Sequence, residues 1–80
     1  PKKPLDVLCQ HIVGMAIEKT WSVDEALKLI RAAYPYKDLT KEELISVLRY
    51  LSGNYSELES KRVYGKIWFD EKEGVFGKRG

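Results

Sequence analysis

Apolar residues recur at three- and four-residue intervals through the first two thirds of the chain and predict three amphipathic helices. The first is expected over about Pro4 to Lys19, where Leu5, Leu8 and Ile12 form one apolar stripe. Gly14 falls in the middle of this stretch, at a cost of about 1 kcal/mol relative to alanine. A missing side chain lets another backbone approach, so we expect a close helix crossing at Gly14.

Two further helices begin with capping signals, in which a hydroxyl residue is followed three positions later by glutamate. Ser22 with Glu25 and Thr40 with Glu43 fit this pattern. Pro35 is expected to end the second helix, because the residue before a proline is disfavoured in helical conformation. The third helix is expected to continue to a glycine that terminates it, with leucines on its apolar face.

The last third of the chain changes to an alternating pattern and predicts a β-hairpin. One strand is expected over Val63 to Phe69, followed by a polar turn at 70–74 and a return strand from Val75. Alternation divides this strand between two faces. One face carries a mainly β-branched set, which is expected to face the core, and the other face carries an aromatic and basic set. The first set is Val63, Gly65, Ile67 and Phe69; the second is Tyr64, Lys66 and Trp68.

Three helices followed by a hairpin are the element order of the winged helix-turn-helix fold, an α+β fold that is mostly α. The third helix then takes the recognition-helix position, the hairpin is the wing, and a small bridge near Trp21 is expected to complete the sheet. A helical domain with a free hairpin is the alternative.

Size limits the possible functions. The chain has 80 residues, of which 44% are hydrophobic and 32% charged, so we expect one globular domain over residues 1–80. A domain this small cannot easily enclose a deep pocket, which argues against a self-contained enzyme. No segment approaches the length of a membrane span. Because the sequence starts at Pro1 rather than Met, we expect a piece of a longer chain.

The residue types also exclude several chemistries. One cysteine, Cys9, and one histidine, His11, provide neither a disulfide nor a zinc site, and a single cysteine is typical of a cytoplasmic protein. Cys9 lies in the apolar stripe and is expected to be a packed thiol. No glycine pattern matches a phosphate-binding loop. We therefore predict no catalytic residue and no metal site.

Positive charge is concentrated at the end of the chain, where residues 61–80 carry six basic and three acidic groups. Aromatic residues interleaved with cations suit single-stranded nucleic acid, because bases stack and phosphates pair. The third helix is a poor base reader: Arg49 suits a phosphate, whereas Ile45 and Tyr50 are expected as apolar surface. The nucleic-acid candidates are Arg49, Lys61, Arg62, Tyr64, Lys66, Trp68, Lys78 and Arg79. Alternatively, the hairpin aromatics cover a neighbouring domain or the core.

One segment resembles a known family. The run Pro4-Leu5-Asp6-Val7-Leu8-Cys9-Gln10-His11-Ile12-Val13 closely resembles the start of the winged-helix domain in the large helicase-related (Lhr) family of superfamily 2 helicases. Alanine is usual there at the position of Cys9. Weaker similarities follow at Val47-Leu48, Leu51, Gly53 and Tyr55, in the wing from Lys66 to Gly74, and at Arg79-Gly80.

The resemblance implies a module of an ATP-dependent 3′–5′ DNA helicase of archaea or bacteria, associated with DNA repair. RecA-like motor domains elsewhere in the parent chain would bind ATP and Mg²⁺, and this fragment, itself monomeric and not an enzyme, would pack on them. Single-stranded or tailed DNA is the implied partner. Gln10, His11, Ile45 and Tyr50 are the interdomain docking candidates. The alternatives are a protein-interaction winged helix without DNA binding and a stand-alone DNA-binding transcription regulator.

Overall fold

The computed structural model describes residues 4–53 and 66–80, which form a mostly helical α+β domain with the predicted winged-helix order. The predicted strand residues 63–65 and the similarity at Tyr55 lie outside this part of the chain. The elements are α1 (Leu5–Glu18), β1 (Trp21–Ser22), α2 (Val23–Arg31), α3 (Lys41–Ser52), β2 (Ile67–Asp70) and β3 (Val75–Lys78).

Helix α1 packs its apolar stripe into the core through Leu8, Ile12, Met15 and Ala16. Gly14 lies on the exposed side of the helix. Apart from its chain neighbours and the backbone of α1 itself, no atom of the described residues comes within 4 Å of the position that a Cβ at Gly14 would take. The predicted close crossing is therefore wrong for this part of the chain.

The two predicted capping signals are formed to different extents. At α3, Thr40 Oγ1 accepts the Glu43 N–H at 3.0 Å and a Glu43 carboxylate oxygen accepts the Thr40 N–H at 2.9 Å, which is a complete capping box. At α2, Ser22 Oγ accepts the Glu25 N–H at 3.0 Å. The Glu25 carboxylate instead accepts from Lys19 Nζ at 3.1 Å, so only half of the second box forms.

A three-stranded antiparallel sheet in the order β1-β3-β2 closes the fold. The predicted bridge near Trp21 is confirmed, because Trp21 pairs with Phe76 and Ser22 pairs with Val75. The wing turn, residues 71–74, ends at Gly74. Its φ of 71° lies in the left-handed region, which glycine adopts without strain and other residues adopt with strain. The Gly74 N–H donates to the Asp70 carbonyl at 2.8 Å.

The core lies between the three helices and the inner face of the sheet. Its largest fully buried side chains are Leu8, Ile12, Ile30, Leu39, Leu44, Leu48, Ile67 and Phe76. Two aromatic residues bring polar atoms into it, and both have partners. Trp21 Nε1 donates to the Met15 carbonyl and Tyr36 Oη to the Pro4 carbonyl, each at 2.8 Å. The second bond ties the α2–α3 connection to the start of α1.

Candidate nucleic-acid interface

The outer face of the wing carries Trp68, one of the predicted aromatic residues. The register pairs Ile67 with Lys78 and Trp68 with Gly77. Ile67 is fully buried and Phe69 packs against the core, so the predicted inner face is confirmed for these two residues. Val63 and Gly65 lie outside the described residues. By alternation, Trp68 then points to the outer side of the sheet, where it is half-buried. Lys66 lies directly before β2, and its side chain is exposed.

A glycine determines where the Trp68 indole lies. A methyl group added at Gly77 would stand 2.8 Å from Cζ2 and 3.0 Å from Cε2 of Trp68, and 3.1 Å from Oγ1 of Thr20. The six-membered ring of Trp68 therefore occupies the space that a side chain at position 77 would need. The indole is seated on the sheet instead of extending freely from it.

Arg79 connects the open end of the wing to the recognition helix. Its Nε donates to the Ile67 carbonyl and its Nη2 to the Ser52 carbonyl, each at 3.4 Å. Ser52 is the last residue of α3, where unpaired carbonyls favour a nearby cation. The Lys66 N–H donates to the Leu51 carbonyl at 3.1 Å, which fixes its backbone beside the same helix end while its side chain stays exposed.

The described nucleic-acid candidates therefore divide into separate groups. Lys66, Trp68 and Arg79 lie around the open end of the wing. Lys78 pairs with Ile67 and therefore shares its face of the sheet, whereas Trp68 is on the other face. Arg49 lies on α3 and reaches the wing turn at the other end of the hairpin. Three further candidates, Lys61, Arg62 and Tyr64, lie outside the described residues.

The recognition helix carries two cations, Lys41 and Arg49, and a carboxylate from another element pairs with each. Arg49 Nε donates to Glu71 Oε1 of the wing turn at 2.9 Å, and Nη2 donates to Glu71 Oε2. The hydrogen bonds from Arg49 hold the pKa of the Glu71 carboxyl below its usual value. Lys41 Nζ lies 3.0 Å from Asp24 Oδ1 of α2.

Sequence reasoning did not find these two carboxylates. Glu71 is 22 positions from Arg49 along the chain, and no periodicity relates a helix to a turn at that separation. The bidentate geometry between a guanidinium and a carboxylate is nevertheless the strongest form of such a pair.

The docking candidates differ in their exposure. Gln10 and His11 are exposed on α1, where Val7 and Ile17 are 52% and 62% exposed. Ile45 and Tyr50, which were expected as apolar surface, are only partly exposed, because both also pack against the core.

Cys9 is half-buried on α1, in agreement with the predicted packed thiol. Burial, and to a lesser extent the negative charge of Asp6, raise the pKa of the Cys9 thiol and disfavour the nucleophilic thiolate. Within residues 4–53 and 66–80, no group of three or more His, Cys, Asp or Glu residues could hold a metal ion. None of the helices described is long and apolar enough to cross a membrane.

Comparison with known proteins identifies the family. The family model described as large helicase-related protein, winged helix domain, matches residues 1–79. The chain belongs to this family. The winged-helix order that the hydrophobic pattern predicted is therefore the fold of an Lhr winged helix domain, and the family similarity covers almost the whole chain.

Relatives of this Lhr domain are much longer proteins. The chain is 62% identical to ATP-dependent helicase Lhr-Core protein 2 of Thermococcus barophilus and 59% identical to ATP-dependent helicase Lhr-Core of Methanocaldococcus jannaschii; both matches include all 80 residues but only 9% of the relative. It is 33% identical to the Lhr helicase/uracil glycosylase of Escherichia coli over 99% of the chain and 5% of that protein. No solved structure gives a significant match.

Proposed function

We propose that this chain is the winged-helix module of a longer ATP-dependent 3′–5′ DNA helicase that acts in DNA repair. In this proposal the module packs on the RecA-like motor domains of its own polypeptide. It contacts the translocating single strand without sequence preference through the outer face of the wing. The names of the relatives and the 9% of their length that the chain spans support a role inside a larger helicase.

The observation that carries the strand contact is the seating of Trp68 beside Lys66 and Arg79. An indole held on a sheet has lost its rotamer freedom before a base stacks on it, which lowers the entropic cost of binding. Lys66 is exposed, and its backbone is fixed by the bond to Leu51. The flexible Lys66 cation suits a phosphate, and the fixed Trp68 ring suits a stacked base of any type.

Fluorescence anisotropy with a labelled 3′-tailed duplex tests this contact. We expect weak, salt-sensitive binding that is lost in Trp68→Ala and reduced in Lys66→Ala, because each phosphate contact releases counterions. Lys72→Ala is the matched control, since it removes the same charge from the wing turn. Equal binding by all variants at low salt, with folding verified by circular dichroism, would refute the strand contact.

The outer side of α1 supports docking on the rest of the polypeptide. Val7 and Ile17 are both more than half exposed, and Gly14 has open space around it although it weakens the helix. Docking through Gln10 and His11 predicts that their substitution in the full-length protein reduces DNA-stimulated ATPase activity without unfolding this domain. Unchanged stimulation would contradict this docking face.

The described residues, 4–53 and 66–80, do not fit a site for ATP and Mg²⁺, which in this proposal are bound by the motor domains. A phosphate loop needs glycines that open a helix at its N-terminus. Gly53 ends α3 and Gly74 ends the wing turn, so neither lies at such a position. We assign no step of ATP hydrolysis to this chain.

The exposed apolar residues of α1 also favour the second candidate function, a protein-interaction winged helix that does not bind DNA. Absence of binding at any salt concentration would favour it. The stand-alone transcription regulator has no comparable support, because carboxylates accompany both cations of α3.

A further inference from the structure

The recognition helix and the wing turn are joined by a two-point polar contact between residues 22 positions apart. Both nitrogens of the Arg49 fork that face the wing are occupied by Glu71 oxygens, with Nε to Oε1 at 2.9 Å. Both side chains are a little under half exposed, so the pair lies at the surface and within reach of a ligand. Neither residue contributes to the hydrophobic core.

A carboxylate and a phosphate present the same paired oxygen acceptors to a guanidinium. Glu71 therefore occupies Arg49 in the way that a nucleic-acid phosphate would. The hydrogen bonds from Arg49 hold the pKa of Glu71 below its usual value, so the carboxylate is charged at neutral pH. It therefore competes with a phosphate for the Arg49 guanidinium.

We propose that Glu71 is an internal competitor that keeps Arg49 from binding phosphate until a DNA strand displaces it. The proposal rests on the proposed strand contact and adds a second, masked phosphate site on α3. Displacement also breaks the Arg49–Glu71 ion pair that joins α3 to the wing turn. Binding of a strand at Arg49 is therefore coupled to release of the wing turn from α3. A surface pair of this kind is weak enough to be exchanged, because exposed ion pairs contribute little net stability.

The second cation of α3 has a similar arrangement, which strengthens the argument. Lys41 lies 3.0 Å from Asp24, whose side chain is 79% exposed. The recognition helix thus exposes two cations, each accompanied by an acid from a different element. The bidentate pair at Arg49 is the more specific of the two, and of these two pairs it is the one that joins α3 to the wing turn.

Anisotropy with a labelled single-stranded oligothymidylate tests the proposal. Glu71→Gln keeps the shape of the side chain and removes its charge. We expect this variant to bind about two- to fivefold more tightly than wild type at low salt, as release from a surface pair allows. The salt dependence should steepen by about 0.7 in log–log slope, the value for one added phosphate contact on a single strand.

Two controls separate the masked site from a general effect of charge. Glu73→Gln removes the same charge from the same turn but leaves the Arg49–Glu71 pair intact, and we expect it to bind as wild type does. In an Arg49→Gln background, Glu71→Gln should give no gain. Circular dichroism confirms the fold of each variant.

The outcomes distinguish this proposal from the proposed strand contact. Equal gains from Glu71→Gln and Glu73→Gln, or a gain that persists without Arg49, would overturn the competition and leave the wing contact standing. Binding that depends on Trp68 in wild type but is unchanged in Glu71→Gln would do the same. No binding by wild type or by Glu71→Gln at low salt would overturn both.

Discussion

Replacement of Gly77 by alanine tests whether the Trp68 indole is seated as described. The added methyl group would stand 2.8 Å from Cζ2, about 0.7 Å closer than the ~3.5 Å at which carbon contacts become favourable. Backbone strain does not contribute, because Gly77 is not among the glycines with positive φ. Overpacking of this kind costs about 1–3 kcal/mol, and alanine in a strand recovers about 0.5–1 kcal/mol of backbone entropy. The midpoints of these two ranges leave a net loss of about 1 kcal/mol in the free energy of unfolding.

Chemical denaturation followed by circular dichroism measures this loss. The Thr20 methyl resonance in nuclear magnetic resonance spectra should shift as the indole moves away. Gly14→Ala is the matched control: apart from its chain neighbours and the backbone of α1, its Cβ meets no described atom within 4 Å, so it should raise the unfolding free energy by about 0.5–1 kcal/mol. In a Trp68→Ala background, Gly77→Ala should cease to be destabilising. Wild-type stability of Gly77→Ala with an unmoved Thr20 resonance would refute the seating.

Two further predictions concern stability. Thr40→Ala removes the acceptor of the Glu43 N–H and should cost about 1 kcal/mol of unfolding free energy, whereas Thr40→Ser should retain most of it; equal losses in a denaturation series would contradict this role. Burial raises the pKa of the Tyr36 hydroxyl, which donates to the Pro4 carbonyl. The folded state thus holds this proton more tightly, so the stabilisation is complete below the unfolded pKa of about 10 and is lost as pH rises through the raised pKa. Tyr36→Phe should be about 0.5–1.5 kcal/mol less stable at pH 7, with a gap that closes in alkaline denaturation curves; a constant gap would contradict the assignment.

Local signals determined most of the fold, because each acts over a few residues. The three helices, the Thr40 capping box and the left-handed Gly53 at the end of α3 all follow from spacing and backbone preference. The alternation that placed Ile67 inside and Trp68 outside is equally local. The bridge at Trp21 was predicted only because the winged-helix order requires a third strand.

The errors arose where a side chain has competing partners from elsewhere in the fold. Glu25 could cap α2 or pair with Lys19, and the sequence contains both possibilities. Ile45 and Tyr50 occupy outward helical positions, yet both also pack against the core and are only partly exposed. Periodicity gives the direction of a side chain from its helix and does not give the distance to the neighbouring element.

The class of the fold, the family and the residue types available for a strand contact all follow from the order of residues along the chain. Which of those residues meet depends on the packing of the folded domain. It brought Gly77 under Trp68, placed Arg79 at the end of α3, and paired Arg49 with Glu71 across 22 positions. Contacts between elements depend on how the elements pack, and packing is set by the whole core, whereas helix caps and strand alternation are set within a few residues of the chain.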